Sequence, residues 1–407
     1  AFGHHFRSLL AAGGDAEALV AAQPAGQLGR TRVVGVARAD DAVIEALGPR
    51  GPAAAAFAQN WSAWEDGLRA LAAEAMVQGM DFVAFGSDGV DLMGGTVRGR
   101  SLAADGWCEA AWPLPHVVMN PVRPTFDVDW AVAEELRRLA PFTTSRIADK
   151  VAVAGLLADS PVAEHVIPYT ALASAVAEAE GVGGTSVRIE RFLAEHGSIV
   201  LKPARGRRGR DILFLMTAAD GRLCLRRRAG EQPTTAVAVA AELMPRLRGG
   251  PWILQRFIAS KTRDNRSFDV RVHVHKDGDG AWTVVRAYIR LSEAGGLVAN
   301  TCCGGYQGDV DRFFASLKAE APAQVAALRA LGLATAAAVD ARYGGTLDEL
   351  GVDLVIDGRR RAWIVEVNPH PQSRHHEFER ARVAVAYAGH LARRPVAAGG
   401  MAAAVGE

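Results

Sequence analysis

The sequence predicts an α/β protein whose C-terminal part is α+β, and three patterns carry this prediction. Two β-branched runs, TRVVGVA (31–37) and DFVAF (81–85), flank residues with helical apolar spacing (63–79), which indicates a βαβ beginning. GSIVLKPA (197–204) and DILFLM (211–216) indicate two strands joined by a glycine-rich loop. Farther on, strands alternate apolar and polar residues, which favours an antiparallel sheet with one functional face.

The remaining elements follow from the same periodicities. VDLMGGTVRGRSL (90–102) indicates two short strands about a Gly-Gly turn, and LPHVVMN (114–120) a buried strand. Residues 129–140 and 147–159 have helical patterns, and a long helix is expected over roughly 310–342. The alternating strands of the last region are expected at 252–258, 268–275, 281–291, 350–357 and 361–369.

The 407 residues have room for two to three domains. We expect an N-terminal α/β domain over 1–140, a lobe with the glycine-rich loop over 141–250 and a C-terminal lobe over 251–391. The low-complexity segment 392–407 is expected to be a disordered tail.

Composition excludes several classes of protein. With 46 basic against 45 acidic side chains the net charge is +1, which argues against a dedicated nucleic-acid binder. No apolar run approaches the ~20 residues that cross a bilayer and no signal pattern opens the chain, so we expect a cytoplasmic protein without a membrane partner. The four cysteines show no CxxC spacing, which favours free thiols over a zinc site.

The strongest candidate site is GVDLVIDGRRRAWIVEVNPHPQ (351–372). Glu366 and Asn368 are two apart on one strand and therefore share a face, and a turn at 357–358 can bring Asp353 beside them. Two carboxylates and an amide oxygen suit Mg²⁺, which keeps water and substrate phosphates as its other ligands. A solvated hairpin face fits poorly, because the strand around Glu366 is otherwise apolar.

A magnesium site predicts phosphate partners, and four cations are candidates to meet them. Lys150 lies near the start of a helix, Lys202 ends a strand before the glycine loop, and Arg271 and Arg290 lie on alternating strands. Phosphoryl transfer requires positive charge where charge develops, together with a flexible cover that excludes water. Each cation alone is more often a surface charge, but together with the metal set they predict a phosphate site.

This combination resembles the ATP-grasp superfamily from about residue 146 to about residue 373. The features in order are the DK pair at 149–150, VLKP with its glycine-rich loop, and the D…E-x-N set ending at Asn368. The resemblance implies an ATP-grasp fold, two α+β lobes gripping ATP, with the N-terminal domain placed before them. It also implies ATP with two Mg²⁺ ions, which Mn²⁺ can replace, and a loop in which Gly206 and Gly209 fold over the triphosphate.

Further roles are implied by the same resemblance. QRFI (255–258) looks like the interlobe hinge, so Gln255 or the backbone of Arg256 and Phe257 would meet adenine. FDVR (268–271) and ANTCCGG (299–305) resemble segments of the glutamate ligases that modify ribosomal protein. They imply ribose contact for Asp269, phosphate or acyl-phosphate contact for Arg271 and Arg290, and a place near the metals for Asn300.

Two departures from those ligases are informative. Cys302-Cys303 stands where they have a His-Arg pair, which puts glutamate as the added amine in doubt, and Arg256 stands where the hinge often has an acidic residue. The N-terminal segments VDLMGGTVRGRSL, WCEAAW (107–112) and LPHVVMNPVRP resemble the YheC/YheD-type branch, which is associated with spore coats.

The function that these features predict is an ATP-dependent carboxylate–amine ligase of the EC 6.3 type, acting on small-molecule or peptide substrates through an acyl phosphate. A small-molecule kinase and a catalytically degenerate, coat-associated ATP-binding protein are the alternatives. A homodimer is only the base-rate expectation. The substrates do not follow from the fold.

Three groups of residues have more than one interpretation each. Arg205, Arg207, Arg208 and Arg210 point either to an anionic second substrate or to a solvated loop tip. Cys302-Cys303 is structural, a redox pair or a nucleophile. The third group can be polar loop residues, a metal cluster or contacts to a substrate carboxylate: His370, His375 and His376.

Overall fold

The computed structural model describes most of the chain, in two compact units. The described residues are 33–38, 67–86, 89–103, 106–119, 130–143, 147–205, 211–218, 220–227, 230–299, 305–316, 321–369, 371, 373 and 375–393. One unit consists of the described residues up to Phe142 and from Ala388 onward, and the other is Thr143–Tyr387. The predicted tail over 392–407 lies outside the described residues from 394 onward.

The first unit contains a mixed sheet in the order β3-β4-β2-β1-β6, with β5 paired to β4. Strand β1 is parallel to β2 and to β6, so the predicted βαβ beginning is confirmed. The strands predicted about the Gly-Gly turn are present as the antiparallel pair β3 and β4. The elements are β1 (Val33–Arg38), α1 (67–77), β2 (Asp81–Gly86), β3 (Val90–Asp91), β4 (Thr96–Ala103), β5 (Gly106–Pro113), β6 (Val117–Met119) and α2 (Trp130–Leu139).

The second unit has two antiparallel sheets, and the smaller one carries the glycine-rich loop. Its order is β11-β10-β9-β8-β12-β7, and β8 and β9 flank the loop as the sequence predicts. Its strands are β7 (Tyr169–Leu172), β8 (Ile199–Pro203), β9 (Leu213–Thr217), β10 (Leu223–Arg227), β11 (Gly230–Pro233) and β12 (Trp252–Arg256). Two helices cover it, α4 (Ser174–His196, interrupted at Gly181) and α5 (Ala236–Leu247).

One face of this smaller sheet is apolar and packs on its helices. Leu201 and Leu254 belong to the same buried cluster as Val239 and Leu243 of α5. Because side chains alternate along a strand, Lys202 must point to the opposite face from Leu201. This alternation places the lysine on the face that the helices leave uncovered.

The larger sheet of the second unit has the order β15-β14-β13-β16-β17, and each of its strand pairs is antiparallel. The predicted antiparallel sheet is therefore confirmed. Its strands are β13 (Phe268–Lys276), β14 (Trp282–Leu291), β15 (Tyr306–Asp309), β16 (Glu349–Ile356) and β17 (Ala362–Asn368). The helices of this part are α3 (Lys150–Ala158), α6 (Val310–Ala315) and α7 (Ala321–Arg342), together with α8 (Glu377–Ala392) up to Tyr387.

Helix α7 packs on the apolar face of the larger sheet. Val325, Leu328 and Val339 join Val272 in one buried cluster. At Gly332 an added Cβ would lie 2.6 Å from Cγ1 of Val272, so only glycine permits this approach. Among the described residues, α7 is the helix whose length and apolar composition would suffice to cross a membrane. Several of its apolar residues are buried against the larger sheet, as in a core helix.

Helix α3 begins where it does because Asp149 caps it. The Asp149 carboxylate accepts hydrogen bonds from the backbone N–H groups of Val151 and Ala152 at 3.0 and 3.1 Å. Such a cap satisfies N–H groups that the helix cannot pair itself. The backbone N–H of Lys150 donates to the carbonyl of Ala204 at 3.2 Å, which ties the start of α3 to the end of β8.

Candidate active site

The face of the larger sheet opposite α7 is charged. Along β13, Val270 and Val272 are fully buried in the apolar cluster. Asp269 and Arg271 alternate with them and therefore lie on the other face. The candidate site is built on this second face.

The strand register brings three predicted residues into one row. Arg271 on β13 lies opposite Asp353 on β16, which in turn lies opposite Glu366 on β17. Arg271 donates through Nε and Nη2 to the two oxygens of Asp353 at 2.6 and 2.7 Å. Asn368 donates through Nδ2 to Oδ2 of Asp353 at 3.3 Å. The bidentate pair holds the arginine in one orientation.

Arg290 joins this row to Asp269. Its Nε and Nη2 donate to the two oxygens of Asp269 at 2.6 and 2.7 Å, and Nη2 is 2.8 Å from Oδ2 of Asp353. Burial alone would raise the pKa of Asp353, but the charges of Arg271 and Arg290 outweigh it and lower the pKa to about 2. Asp353 is therefore ionised at neutral pH, between two fixed guanidinium groups.

Two lysines from the smaller sheet and its neighbouring helix approach the same row. Nζ of Lys150 and Nζ of Lys202 each lie 3.9 Å from Oε2 of Glu366. That distance is too long for a hydrogen bond. Lys202 is only 6% exposed, and this burial lowers its pKa against the attraction of Glu366. The lysine is thus a buried cation without a close anionic partner among the described residues.

Positive charge exceeds negative charge in this cluster. The carboxylates are outnumbered by cations that come from β8, α3, β13 and β14, and an anion would balance the difference. The cations are Lys150, Lys202, Arg271 and Arg290, and the carboxylates are Asp269, Asp353 and Glu366.

The donor chemistry of this face fits a magnesium ion at Asp353, Glu366 and Asn368. No group of three or more His, Cys, Asp or Glu side chains in the described chain is placed to hold a metal, so a cation here would also need amide and substrate oxygens. Oδ2 of Asp353 already accepts from Arg271, Arg290 and Asn368, whereas Oδ1 accepts only from Nε of Arg271 among the described residues and has room for a further partner. Asn368 uses Nδ2 as a donor, so its Oδ1 is the atom left for a cation. Glu366, which no described residue approaches closer than 3.9 Å as an ion pair, is the least committed ligand.

The hinge residues lie next to the site, but their backbone donors are occupied. The N–H groups of Arg256 and Phe257 donate to the carbonyls of Pro168 and Ser198 at 2.9 and 2.8 Å. Gln255 is buried and donates through Nε2 to the carbonyl of Val365 at 3.3 Å. Contact of this backbone with adenine stays a prediction, and it would have to use carbonyl oxygens rather than these N–H groups.

Several predicted residues lie outside the described residues. Arg205 is described and is exposed, with Nε 3.9 Å from Asp149. Of the histidines after the metal set, His375 is exposed and His376 is buried. Of the cysteines, Cys108 and Cys224 are free thiols, as expected. The predicted positions that fall outside are Gly206, Arg207, Arg208, Gly209, Arg210, Asn300, Cys302, Cys303 and His370.

A second polar cluster farther along the charged face was not predicted from the sequence. His273 and Glu349 are fully buried on β13 and β16, and Arg380 of α8 donates to Glu349 at 2.6 and 2.9 Å. The available signal was the spacing of His273, which follows Arg271 by two residues and so shares its face. The polar partners of His273 are Glu349 on β16 and His376 just before α8, and no local pattern reveals them.

A family model described as YheC/D like ATP-grasp matches residues 139–390. The endospore coat-associated protein YheD of Bacillus subtilis (strain 168) is 22% identical over 333 residues, which cover 77% of this chain and 71% of that protein. The endospore coat-associated protein YheC of the same strain is 24% identical over 190 residues, which cover 45% of this chain and 52% of that protein.

Among solved structures, the crystal structure of the D-cycloserine synthetase DcsG aligns with a TM-score of 0.48 at 17% identity, covering 88% of this chain and 98% of that one. The family model spans more than half of this chain and contains every described residue of the candidate site. The sequence resemblance is therefore confirmed, and the chain belongs to the YheC/D-like ATP-grasp family.

Proposed function

We propose that this protein is an ATP-dependent ligase that joins a carboxylate to an amine and releases ADP and phosphate. The observation that carries the proposal is the cluster in which Lys150 and Lys202 face Glu366 while Arg271 and Arg290 hold Asp353. A triphosphate supplies the negative charge that this cluster lacks, and the family name supports ATP as its source.

Each cation has a distinct task in this proposal. Lys150 and Lys202 hold the α and β phosphates of ATP. Arg271 and Arg290 stabilise the phosphoryl group while a substrate carboxylate attacks the γ-phosphorus, and they then hold the acyl phosphate. Because both arginines are already fixed by carboxylates, little reorganisation is required as charge develops. Held by Glu366, Asn368 and Asp353, Mg²⁺ would neutralise phosphate charge.

The amine then attacks the acyl carbon and inorganic phosphate leaves, which forms an amide or peptide bond. No nucleophilic side chain of the protein is required, because positioning and electrostatic stabilisation supply the rate enhancement. Which acid and which amine are used depends on contacts to the substrates that the fold does not specify, so both must be identified by experiment.

The test is ADP release by the full chain with MgCl₂ against a panel of amino acids, peptides and small carboxylates. We expect release that depends on both an acid and an amine, and hydroxylamine should trap a hydroxamate from the acid. A phosphorylated product without an amide would assign a kinase instead. Absence of ADP release across the whole panel would overturn the proposal.

A variant tests the assignment of Glu366. Glu366→Ala should abolish ADP release while the melting temperature stays within a few degrees, because this side chain is partly exposed and makes no close ion pair. Glu164→Ala changes a more exposed carboxylate outside the site and serves as the matched control. Activity of the Glu366 variant at the level of the control would contradict the metal assignment.

A second candidate function is ATP binding without turnover in a coat-associated protein, which the printed names of both curated relatives favour. It predicts that a non-hydrolysable ATP analogue raises the melting temperature although no ADP is released with any substrate. Calorimetric binding of that analogue together with the ADP assay separates the two functions.

A further inference from the structure

Three buried side chains and the partly buried Arg380 form a hydrogen-bonded series on the charged face. Arg380 donates to both oxygens of Glu349 at 2.6 and 2.9 Å. Oε1 of Glu349 lies 2.8 Å from Nε2 of His273, and Nδ1 of His273 lies 2.7 Å from Nε2 of His376. The series therefore runs from a guanidinium group, through a carboxylate and one imidazole, to a second imidazole.

The carboxylate sets the direction of the hydrogen bonds made to it by Arg380 and His273. Burial acts to raise the pKa of Glu349, but Arg380 outweighs it and holds the pKa well below its usual value, so Glu349 is ionised. An ionised carboxylate only accepts, and His273 must then carry its proton on Nε2. In the arrangement in which both imidazole rings are uncharged, Nδ1 of His273 accepts and His376 donates from Nε2. The remaining nitrogen of neutral His376, Nδ1, is left with a lone pair.

Nδ1 of His376 is unusual because it is a buried polar atom without a hydrogen-bond partner among the described residues. The whole of His376 is only 2% exposed. Burying such an atom carries a desolvation penalty, and folded proteins rarely leave one unpaired without a reason. An acceptor held in place by three residues behind it is suited to receive an N–H from outside the series.

The series ends close to the candidate site. His273 is two residues from Arg271 on the same strand face, a separation of about 7 Å. Tyr288 lies opposite Arg271 on β14, and its ring centroid is 5.5 Å from that of His376. His376 is thus one row of side chains away from the arginine that would hold the acyl phosphate.

We propose that Nδ1 of His376 takes the proton of the amine substrate, directly or through one water, and that His273 and Glu349 receive the resulting charge. This inference rests on the ligase function proposed above. As Nδ1 of His376 is protonated, its Nε2 proton moves to Nδ1 of His273. The imidazolium then resides on His273, 2.8 Å from the carboxylate of Glu349.

Every proton and bond of this step is accounted for. An alkylammonium group loses one proton to the series and becomes a neutral amine. The amine forms the C–N bond to the acyl carbon, the C–O bond to phosphate breaks, and phosphate leaves with the second N–H proton. The proton stored on His273 returns through His376 to solvent after the product departs.

Surrounding charges explain why two histidines are needed. The pKa of His376 is lowered to about 2 by burial, with added repulsion from His273 and Arg286, so an isolated His376 would be a weak base. Arg286 is itself paired with Glu379 at 3.1 Å. Moving the charge to His273 places it 2.8 Å from the carboxylate of Glu349.

The experiment compares two nucleophiles in His376→Gln and in wild-type protein. Glutamine places its amide nitrogen where Nε2 was, so the hydrogen bond to His273 is kept while the base at Nδ1 is lost. The amine source is an equimolar mixture of the twenty amino acids with MgATP, and the second nucleophile is hydroxylamine, which is uncharged at neutral pH and needs no base. His375→Gln, at the exposed neighbouring histidine, is the control.

We expect His376→Gln to lower amide formation by about 10²-fold or more, the range of general-base contributions, and to leave hydroxamate formation within about threefold of wild type. The loss should lessen as pH rises and free amine accumulates. Equal loss with both nucleophiles, or no loss with amines, would overturn the relay. If wild type forms neither product, the ligase function itself has failed.

A spectroscopic measurement tests the hydrogen-bond series without turnover. In ¹⁵N-labelled wild-type protein at neutral pH, His273 and His376 should both show the Nε2–H tautomer, with Nδ1 of His376 unprotonated. A proton on Nδ1 of His376 would contradict the acceptor role whatever the activity assay gives.

Discussion

Replacing Lys202 with methionine should stabilise the protein without ligand and abolish its response to ATP. Lys202 is 6% exposed, and its nearest carboxylate oxygen is 3.9 Å away on Glu366. At that distance the attraction is about 4 kcal/mol with an effective dielectric constant of about 20, against a desolvation cost of several kcal/mol per ion. The lowered pKa of Lys202, caused chiefly by burial, shows that desolvation exceeds the attraction.

Methionine has a similar length and no charge, so Lys202→Met should raise the free energy of unfolding by about 1–2 kcal/mol. Lys276→Met is the matched contrast on the larger sheet. Nζ of Lys276 lies 2.7 Å from Oδ2 of Asp340, which is itself buried, so this change leaves a buried carboxylate without its cationic partner. It should cost about 3–5 kcal/mol. The two lysine-to-methionine changes are therefore expected to shift the free energy of unfolding in opposite directions.

Thermal unfolding measures both effects, at about 2–4 °C per kcal/mol for a domain of this size. Saturating MgATP at about 100 times its Kd should add about 2.7 kcal/mol to the free energy of unfolding of wild type and little to that of Lys202→Met, so wild type becomes the more stable of the two.

Since folding lowers the pKa of Lys202, the unfolded chain holds that proton more tightly. Wild-type stability therefore rises with pH toward 10.5, and the advantage of the variant narrows. A lower melting temperature for the unliganded variant, or an unchanged ATP response, would refute the reasoning.

Two further predictions concern pH and packing. Burial lowers the pKa of His275 to about 4 and that of His376 to about 2, so unfolding takes up protons and the free energy of unfolding should fall by about 2–3 kcal/mol per unit between pH 6 and pH 5. Urea titrations at several pH values check this, and a flat profile would contradict it. Gly332→Ala should cost about 1–3 kcal/mol, because the new Cβ meets Val272 at 2.6 Å. Gly358→Ala, at an exposed turn with nothing within 4 Å, should change the urea midpoint little, and equal effects of the two variants would refute the packing argument.

The strands that the sequence missed have weak local signals. Strand β5 has the sequence GWCEAAWP, which contains no β-branched residue, and it forms through eight paired positions with β4. Strand β11 is exposed along its whole length and forms by pairing with β10. β-Strand formation depends on cross-strand partners as well as on propensity, so neither strand is visible from its own residues.

The long helix predicted over 310–342 is described as α6 and α7, with residues 317–320 outside the described residues. Apolar residues follow helical spacing both before and after residues 317–320, and this spacing alone does not mark where a helix ends. By contrast, the start of α3 was predictable, because Asp149 is a residue type that caps helices.

The sequence by itself determined the family, the antiparallel sheet with one charged face, and the candidates Lys202, Glu366 and Asn368. Alternation along a strand and the i, i+2 rule are local properties, so they can be read from a single segment. Their individual roles stay predictions. Only the tertiary structure decided that Arg271 and Arg290 both hold Asp353, and that His273 connects Glu349 to His376. Those contacts depend on the register between β13, β14 and β16 and on a residue at the start of α8, which long-range hydrogen bonding and packing fix and local sequence does not.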